Sequence, residues 1–199
     1  MKKFLKKHLL SWNVLLLLLG GGLLYATGYH VRLYSGLKNT LIRSGIVTPG
    51  RVDAGDFEVI DIDPESLESL ALVDGDGRRL SLGDFGQELL LINLWASWCP
   101  PCVAEMPGLN ALYEARKDQT GFVLISRDRR MEDALRFRDR KGYSFPVYMA
   151  TGKVPDAIRA GSIPTTFIQD KKRGHLYRYT GMIAFDDPAM TRLLATLSQ

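Results

Sequence analysis

Leu89-Leu-Leu-Ile-Asn-Leu-Trp-Ala-Ser-Trp-Cys-Pro-Pro-Cys-Val-Ala-Glu-Met-Pro107 is the stretch on which the fold turns. Its first seven residues, Leu89 to Trp95, form an apolar run bounded by Gln87 and Glu88. That is too short for a helix of its own and reads as a buried strand. Ala96-Ser-Trp98 leads to Cys99, followed by Pro100 and Pro101, and proline is tolerated in a helix only within its first turn. Cys99 is therefore placed where a strand ends and a helix begins. Cys102, Met106, Leu109 and Tyr113 then recur at three- and four-residue spacing, on one helical face. Cys99 is expected exposed at the helix N-terminus, with Cys102 one turn in on the packed side. A helix N-terminus favours the thiolate, which is the reactive form of cysteine. A disulfide between residues three apart opens when a thiol attacks its exposed sulfur, through a mixed disulfide.

Working outward, composition narrows the setting. The chain has 199 residues and a formal net charge of +4. Residues 1–45 carry seven Lys/Arg and no acid, so residues 46–199 are net −3. The basic balance belongs to the N-terminus and gives no nucleic-acid signal. Both cysteines sit in one motif, so there is no structural disulfide framework. Lys2, Lys3, Lys6 and Lys7 precede a 21-residue uncharged run, Leu9 to Tyr29, long enough to cross a bilayer. Positive residues ahead of it put the N-terminus in the cytoplasm and the rest outside. Residues 1–29 are read as a basic tip and transmembrane anchor. A cleaved signal peptide, with Ala26-Thr27-Gly28 as its cleavage site, is the competing reading. Residues 30–57 are read as a linker and 58–199 as the catalytic domain.

Within that domain, Asp63-Pro64-Glu65 starts a helical turn. Asp74-Gly-Asp-Gly77 joins two short strands, Ala71 to Val73 and Arg79 to Leu82, as a hairpin. Phe122 to Ser126 is a second buried strand and Arg127-Asp-Arg-Arg130 a solvated loop. Met131 to Lys141 is a helix, Phe145 to Met149 a strand, and Val154 to Ala160 a helix closed by Gly161. Thr165 to Gln169 and His175 to Thr180 form a hairpin, and Pro188 to Leu197 a closing helix. The pattern is α/β, with a mixed central sheet flanked by helices.

Trp95-Ala-Ser-Trp-Cys-Pro-Pro-Cys102 resembles the active site of the thioredoxin superfamily. Leu72-Val-Asp-Gly-Asp-Gly77, Leu80-Ser-Leu-Gly-Asp-Phe85 and Glu105 extend the resemblance to its membrane-tethered TlpA/ResA-like branch, from about Leu70 to the C-terminus. The resemblance implies a thioredoxin fold and a redox-active disulfide, Cys99–Cys102, with no cofactor and no metal. It implies a cis bond at Ile163-Pro164 beside the cysteines, with Ile163 offering backbone groups to an extended substrate. It further implies that Trp98 flanks and covers the sulfur while Trp95 is structural. Asn93 stands where thioredoxin has a buried aspartate, and asparagine exchanges no proton. Glu105 matches a branch glutamate, and a partly buried carboxylate has a raised pKa suited to proton exchange with Cys102. Pro100 and Pro101 lack an N–H, leaving only the amides of Cys102 and Val103 near Cys99. A less stabilised thiolate makes a more reducing pair.

The function implied is an extracytoplasmic thiol–disulfide oxidoreductase, mainly reducing protein disulfides in the bacterial envelope. Partners implied are protein substrates such as apocytochrome c and a membrane thiol-transfer electron donor. Rival readings are a dithiol oxidase and a Sco-like copper chaperone using both cysteines and His175. The Sco pattern has three residues between its cysteines, whereas this chain has two. A peroxidase calls for a lone cysteine after a threonine, which is absent.

Overall fold

Leu89–Trp95 is a strand, and all seven of its residues are buried. Burial on both faces explains why the run is apolar at every position but Asn93 rather than alternating. The computed structural model to which this strand belongs describes residues 50–198. Residues 1–29, expected to be an anchor or signal segment, and the expected linker up to residue 49 lie outside the described residues. Among the described residues no helix is long and apolar enough to cross a membrane.

The elements in chain order are β1 (Glu58–Ile60), α1 (Pro64–Glu68), β2 (Ala71–Asp74), β3 (Arg79–Ser81), β4 (Leu89–Trp95) and α2 (Pro100–Arg116). They continue with β5 (Gly121–Ser126), α3 (Met131–Lys141), β6 (Tyr148–Ala150), β7 (Thr165–Asp170), β8 (His175–Thr180) and α4 (Pro188–Leu197). The strands form one sheet in the order β1-β8-β7-β4-β5-β6-β2-β3. β4 pairs parallel with β5 and antiparallel with β7, so the sheet is mixed as expected.

Alternation along β4 feeds two cores. Leu89, Leu91 and Trp95 face one cluster with Met106, Leu109 and Leu112 of α2, Phe137 of α3 and Leu194 of α4. Leu90, Ile92 and Leu94 face the other, with Leu67, Leu70, Leu72, Val123, Phe167 and Ile158. Asn93 falls on the first face, between Leu91 and Trp95, and so points toward α2.

Several sequence readings change. Residues 50–57, read as linker, join the domain: Val52 and Phe57 are buried in the first core. Gly50 also exchanges backbone hydrogen bonds with the loop after β8. β1 lies outside the expected elements, because two exposed residues and one half-buried one carry no periodicity. The strand expected over 145–149 is displaced to Tyr148–Ala150, while Phe145 and Val147 are buried core residues ahead of the ladder. The helix expected over 154–160 shrinks to a single 3-10 turn, Asp156–Ile158. Pro155 holds an extended backbone (φ −54°, ψ 142°) and Arg159 is extended again (ψ 102°), so the chain turns only between them. The loop 127–130 is not uniformly solvated, since Asp128 is buried.

Candidate active site

β4 ends at Trp95 and α2 begins at Pro100, with Cys99 as the N-cap residue of the helix. Pro100 and Pro101 fill the first two helical positions, where a missing N–H costs nothing. Cys99 and Cys102 form a disulfide. The Cys102 amide donates to Cys99 Sγ at 3.3 Å. The Val103 amide, expected to be a second donor to the sulfur, instead bonds the Cys99 carbonyl and starts the helix ladder. One amide, not two, is therefore aimed at the sulfur.

The expected contrast in exposure is smaller than the spacing implied. Cys102 is fully buried, but Cys99 is also only 3% exposed. The cause is the loop ahead of β7. The Ile163-Pro164 bond is cis, and Ile163 O lies 3.8 Å from Cys99 Sγ. Ile163 packs against both cores. Trp98 stands out from the surface at 64% exposure. Trp95 is buried, with its ring 5.6 Å from Phe137 and 6.1 Å from Phe145.

Behind the cysteines lies a buried polar cluster. Glu105 is three residues beyond Cys102 on the inward side of α2 and is 1% exposed. Asn93 Nδ2 donates to Glu105 Oε1 and to Thr166 Oγ1, both at 3.0 Å. The Ile183 amide donates to Glu105 Oε2 at 3.0 Å. Burial drives the Glu105 carboxyl up to about 8, against the opposing pull of the Ile183 and Asn93 hydrogen bonds. Among the described residues Asn93 Oδ1 has no hydrogen-bond partner. It is the acceptor that a protonated Glu105 would use if the amide turned over.

Glu105 also borders a small cleft of about 320 Å³ between α2 and residues 183–186. Gly108 lets that loop approach: a Cβ there would stand 3.1 Å from the Asp186 amide nitrogen. The Ile183 amide that bonds Glu105 lies three residues before Asp186 in this loop.

Asp128 is the site residue that sequence reasoning missed. Its carboxylate accepts from the Ser97 amide at 3.0 Å, the Ser97 hydroxyl at 2.8 Å and the Ser126 hydroxyl at 2.7 Å. It ties the turn carrying Cys99 to the end of β5. Its only signal was an acid among three arginines, which reads as solvated charge.

His175, the third ligand required by a copper reading, pairs with Asp170 at the far end of the β7–β8 hairpin. Five residues of strand separate that position from Thr165, roughly 16 Å at ~3.3 Å per residue. His175 instead contacts the Tyr177 hydroxyl at 3.2 Å.

Known proteins resemble this chain to different degrees. The AhpC/TSA family matches residues 56–176. The chain is 29% identical over 170 residues to the thiol-disulfide oxidoreductase ResA of Bacillus thuringiensis, covering 84% of this chain and 85% of that one. It is likewise 29% identical over 189 residues to the ResA of Geobacillus thermodenitrificans, with 94% of each chain covered. A thioredoxin-related protein from Neisseria meningitidis serogroup B superposes with a TM-score of 0.54 at 25% identity, over 63% of this chain and 97% of that one. A putative thiol:disulfide interchange protein DsbE from Chlorobium tepidum shares the fold, with a TM-score of 0.56 at 24% identity, over 65% of this chain and 92% of that one.

Proposed function

The chain belongs to the AhpC/TSA family, and we propose that it is a thiol–disulfide oxidoreductase that mainly reduces protein disulfides outside the cytoplasm. The observation that carries this reading is the Cys99–Cys102 pair at a strand–helix junction, backed by a buried carboxyl of raised pKa. In the reduced enzyme, Cys99 as thiolate attacks one sulfur of a substrate disulfide, and the other substrate sulfur leaves as a thiolate. Cys102 then gives its proton to ionised Glu105 and attacks Cys99 Sγ. The Cys99–Cys102 disulfide forms and the second substrate sulfur leaves, so two electrons pass from the enzyme pair to the substrate. The pair is the only redox group this cycle needs. A membrane thiol-transfer protein, reducing Cys99–Cys102 again, closes it.

Cys99 is assigned the attack because it caps the helix and receives the Cys102 amide, while Cys102 is wholly enclosed. Ile163 and Pro164 present the backbone edge on which an extended substrate lies, a short β-augmentation contact. The reducing direction is supported by the single amide that stabilises the Cys99 sulfur. The envelope location rests on the basic, then apolar, N-terminus, and a haem-binding cysteine pair of apocytochrome c is one substrate proposed for it. Measurement of the Cys99–Cys102 reduction potential tests the direction. A value near that of thioredoxin, about −270 mV, is expected. A value near about −120 mV would make the protein an oxidant instead.

A further inference from the structure

A groove of about 420 Å³ opens between the turn that leads into Cys99 and α3. Ser97 and Trp98 border it on the side of Cys99, and Arg129, Arg136 and Arg140 supply its charge. Asp133, Arg136 and Arg140 are spaced three and four apart, so they share one helical face.

Three features of this groove point the same way. Trp98 is one of two large apolar side chains strongly exposed among the described residues, the other being Val59 on an edge strand. The charges are also unbalanced. Among the described residues neither Arg129 nor Arg140 has an acidic partner, while Arg136 shares Asp133 with Arg130. Asp128, the second acid of the groove, is turned inward and occupied by Ser97 and Ser126. A positive groove is thus built onto a part of the chain, residues 46–199, whose net charge is −3. Finally, tryptophan and arginine are the residues on which binding energy concentrates in protein interfaces. A segment held over Trp98 lies one residue from the attacking sulfur.

We propose that this groove docks an acidic segment of the substrate protein flanking the disulfide to be reduced. The inference rests on the reading of the pair as a protein disulfide reductase and adds the chemistry by which substrates are chosen. The arginines attract and orient the segment, Trp98 covers its apolar atoms, and the Ile163-Pro164 edge takes the strand that carries the disulfide. The expected gain lies chiefly in the association rate, which falls with salt.

The test uses the full chain in a neutral detergent, re-reduced at each turnover by an excess of a dithiol whose direct reaction with each substrate is subtracted, and three disulfides. Two are peptides of one cystine core, flanked by Asp/Glu in one and by Lys in the other. The third is 2-hydroxyethyl disulfide, small and neutral. Each peptide rate is divided by that of the neutral disulfide, so a general loss of folding or thiol reactivity cancels. The acidic peptide is expected to exceed the basic one in kcat/KM by about ten-fold at low salt, with the ratio approaching one near 1 M salt. The double variant Arg129→Glu/Arg140→Glu should remove or invert that preference. Equal kcat/KM for the two peptides, or a preference that survives in the variant, overturns the proposal. Failure to reduce even the neutral disulfide would strike the reductase reading itself, a separate and visible outcome.

Discussion

Glu105 holds a carboxyl where its charged form is disfavoured, and its titration therefore has consequences for both folding and rate. Below pH 4.5 the folded and unfolded chains both keep this proton. Between there and about 8 the unfolded chain releases it while the folded chain keeps it. Stability conferred by the protonated state is thus lost as pH rises through that window, and levels off above it. Glu105→Gln has no such proton to lose. Urea unfolding of the oxidised proteins at pH 5 and pH 8.5 should show the variant gaining on the wild type by a few kcal/mol. An unchanged difference would mean that Glu105 is not enclosed as described. The same substitution deprives Cys102 of its acceptor. Resolution of the mixed disulfide should slow by roughly 10²-fold and lose its rise toward pH 8. The place of the pair at a strand–helix junction was readable from spacing, because Cys-Pro-Pro-Cys carries its own local geometry, but the enclosure of Cys99 was not. The environment of Glu105 was not. Its partners Asn93 and Ile183 are 12 and 78 positions away, and only the tertiary fold brings them to one carboxylate.

At the level of elements, α2 does two things: it caps a sulfur at its start and offers a bare patch of backbone at Gly108. The helix continues through Pro107, and the loop of residues 183–186 settles on the glycine beyond it. Gly108→Val should push that loop outward and draw the Ile183 amide away from Glu105. Since that hydrogen bond holds the carboxyl down, its loss should raise the Glu105 pKa further. A carbon-detected NMR titration of the side-chain carboxyl would show the upward move; an unaltered titration would disconnect the loop from the acid. Elements with sharp punctuation were legible in advance. α4 has Asp187 as its cap and Pro188 in its first turn, and α3 ends at Gly142, whose φ of 68° suits glycine. β4, β5 and the β7–β8 hairpin announced themselves by apolar runs and turn residues. Short pieces without a turn or cap signal of their own did not, because β1, the 3-10 turn at Leu82–Asp84 and the 3-10 turn at Asp156–Ile158 are too brief for any period to emerge. Asp128 was hidden for a related reason. Its charge looked solvated until the fold laid the Ser97 turn across it.

For the molecule as a whole, the proposed anchor makes a plain prediction. The full-length chain should remain in the membrane fraction after alkaline extraction, with its N-terminal lysines intact. A soluble product beginning near Tyr29 would replace the anchor with a cleaved signal, leaving the site unaffected. The sheet order carries a further consequence, one of timing. β1 closes one edge of the sheet and the β2–β3 hairpin closes the other, although they lie close together in sequence. Glu58 meets Arg178 across 120 residues of chain. A ribosome delivering the N-terminus first supplies β1 long before β8 exists to receive it. Such long-range pairing is slow because the loop must close before any contact rewards it. The segment behind the apolar N-terminus therefore stays unpaired and threadable while it is being made. The last strand to leave the ribosome, β8, is the one that closes onto β1.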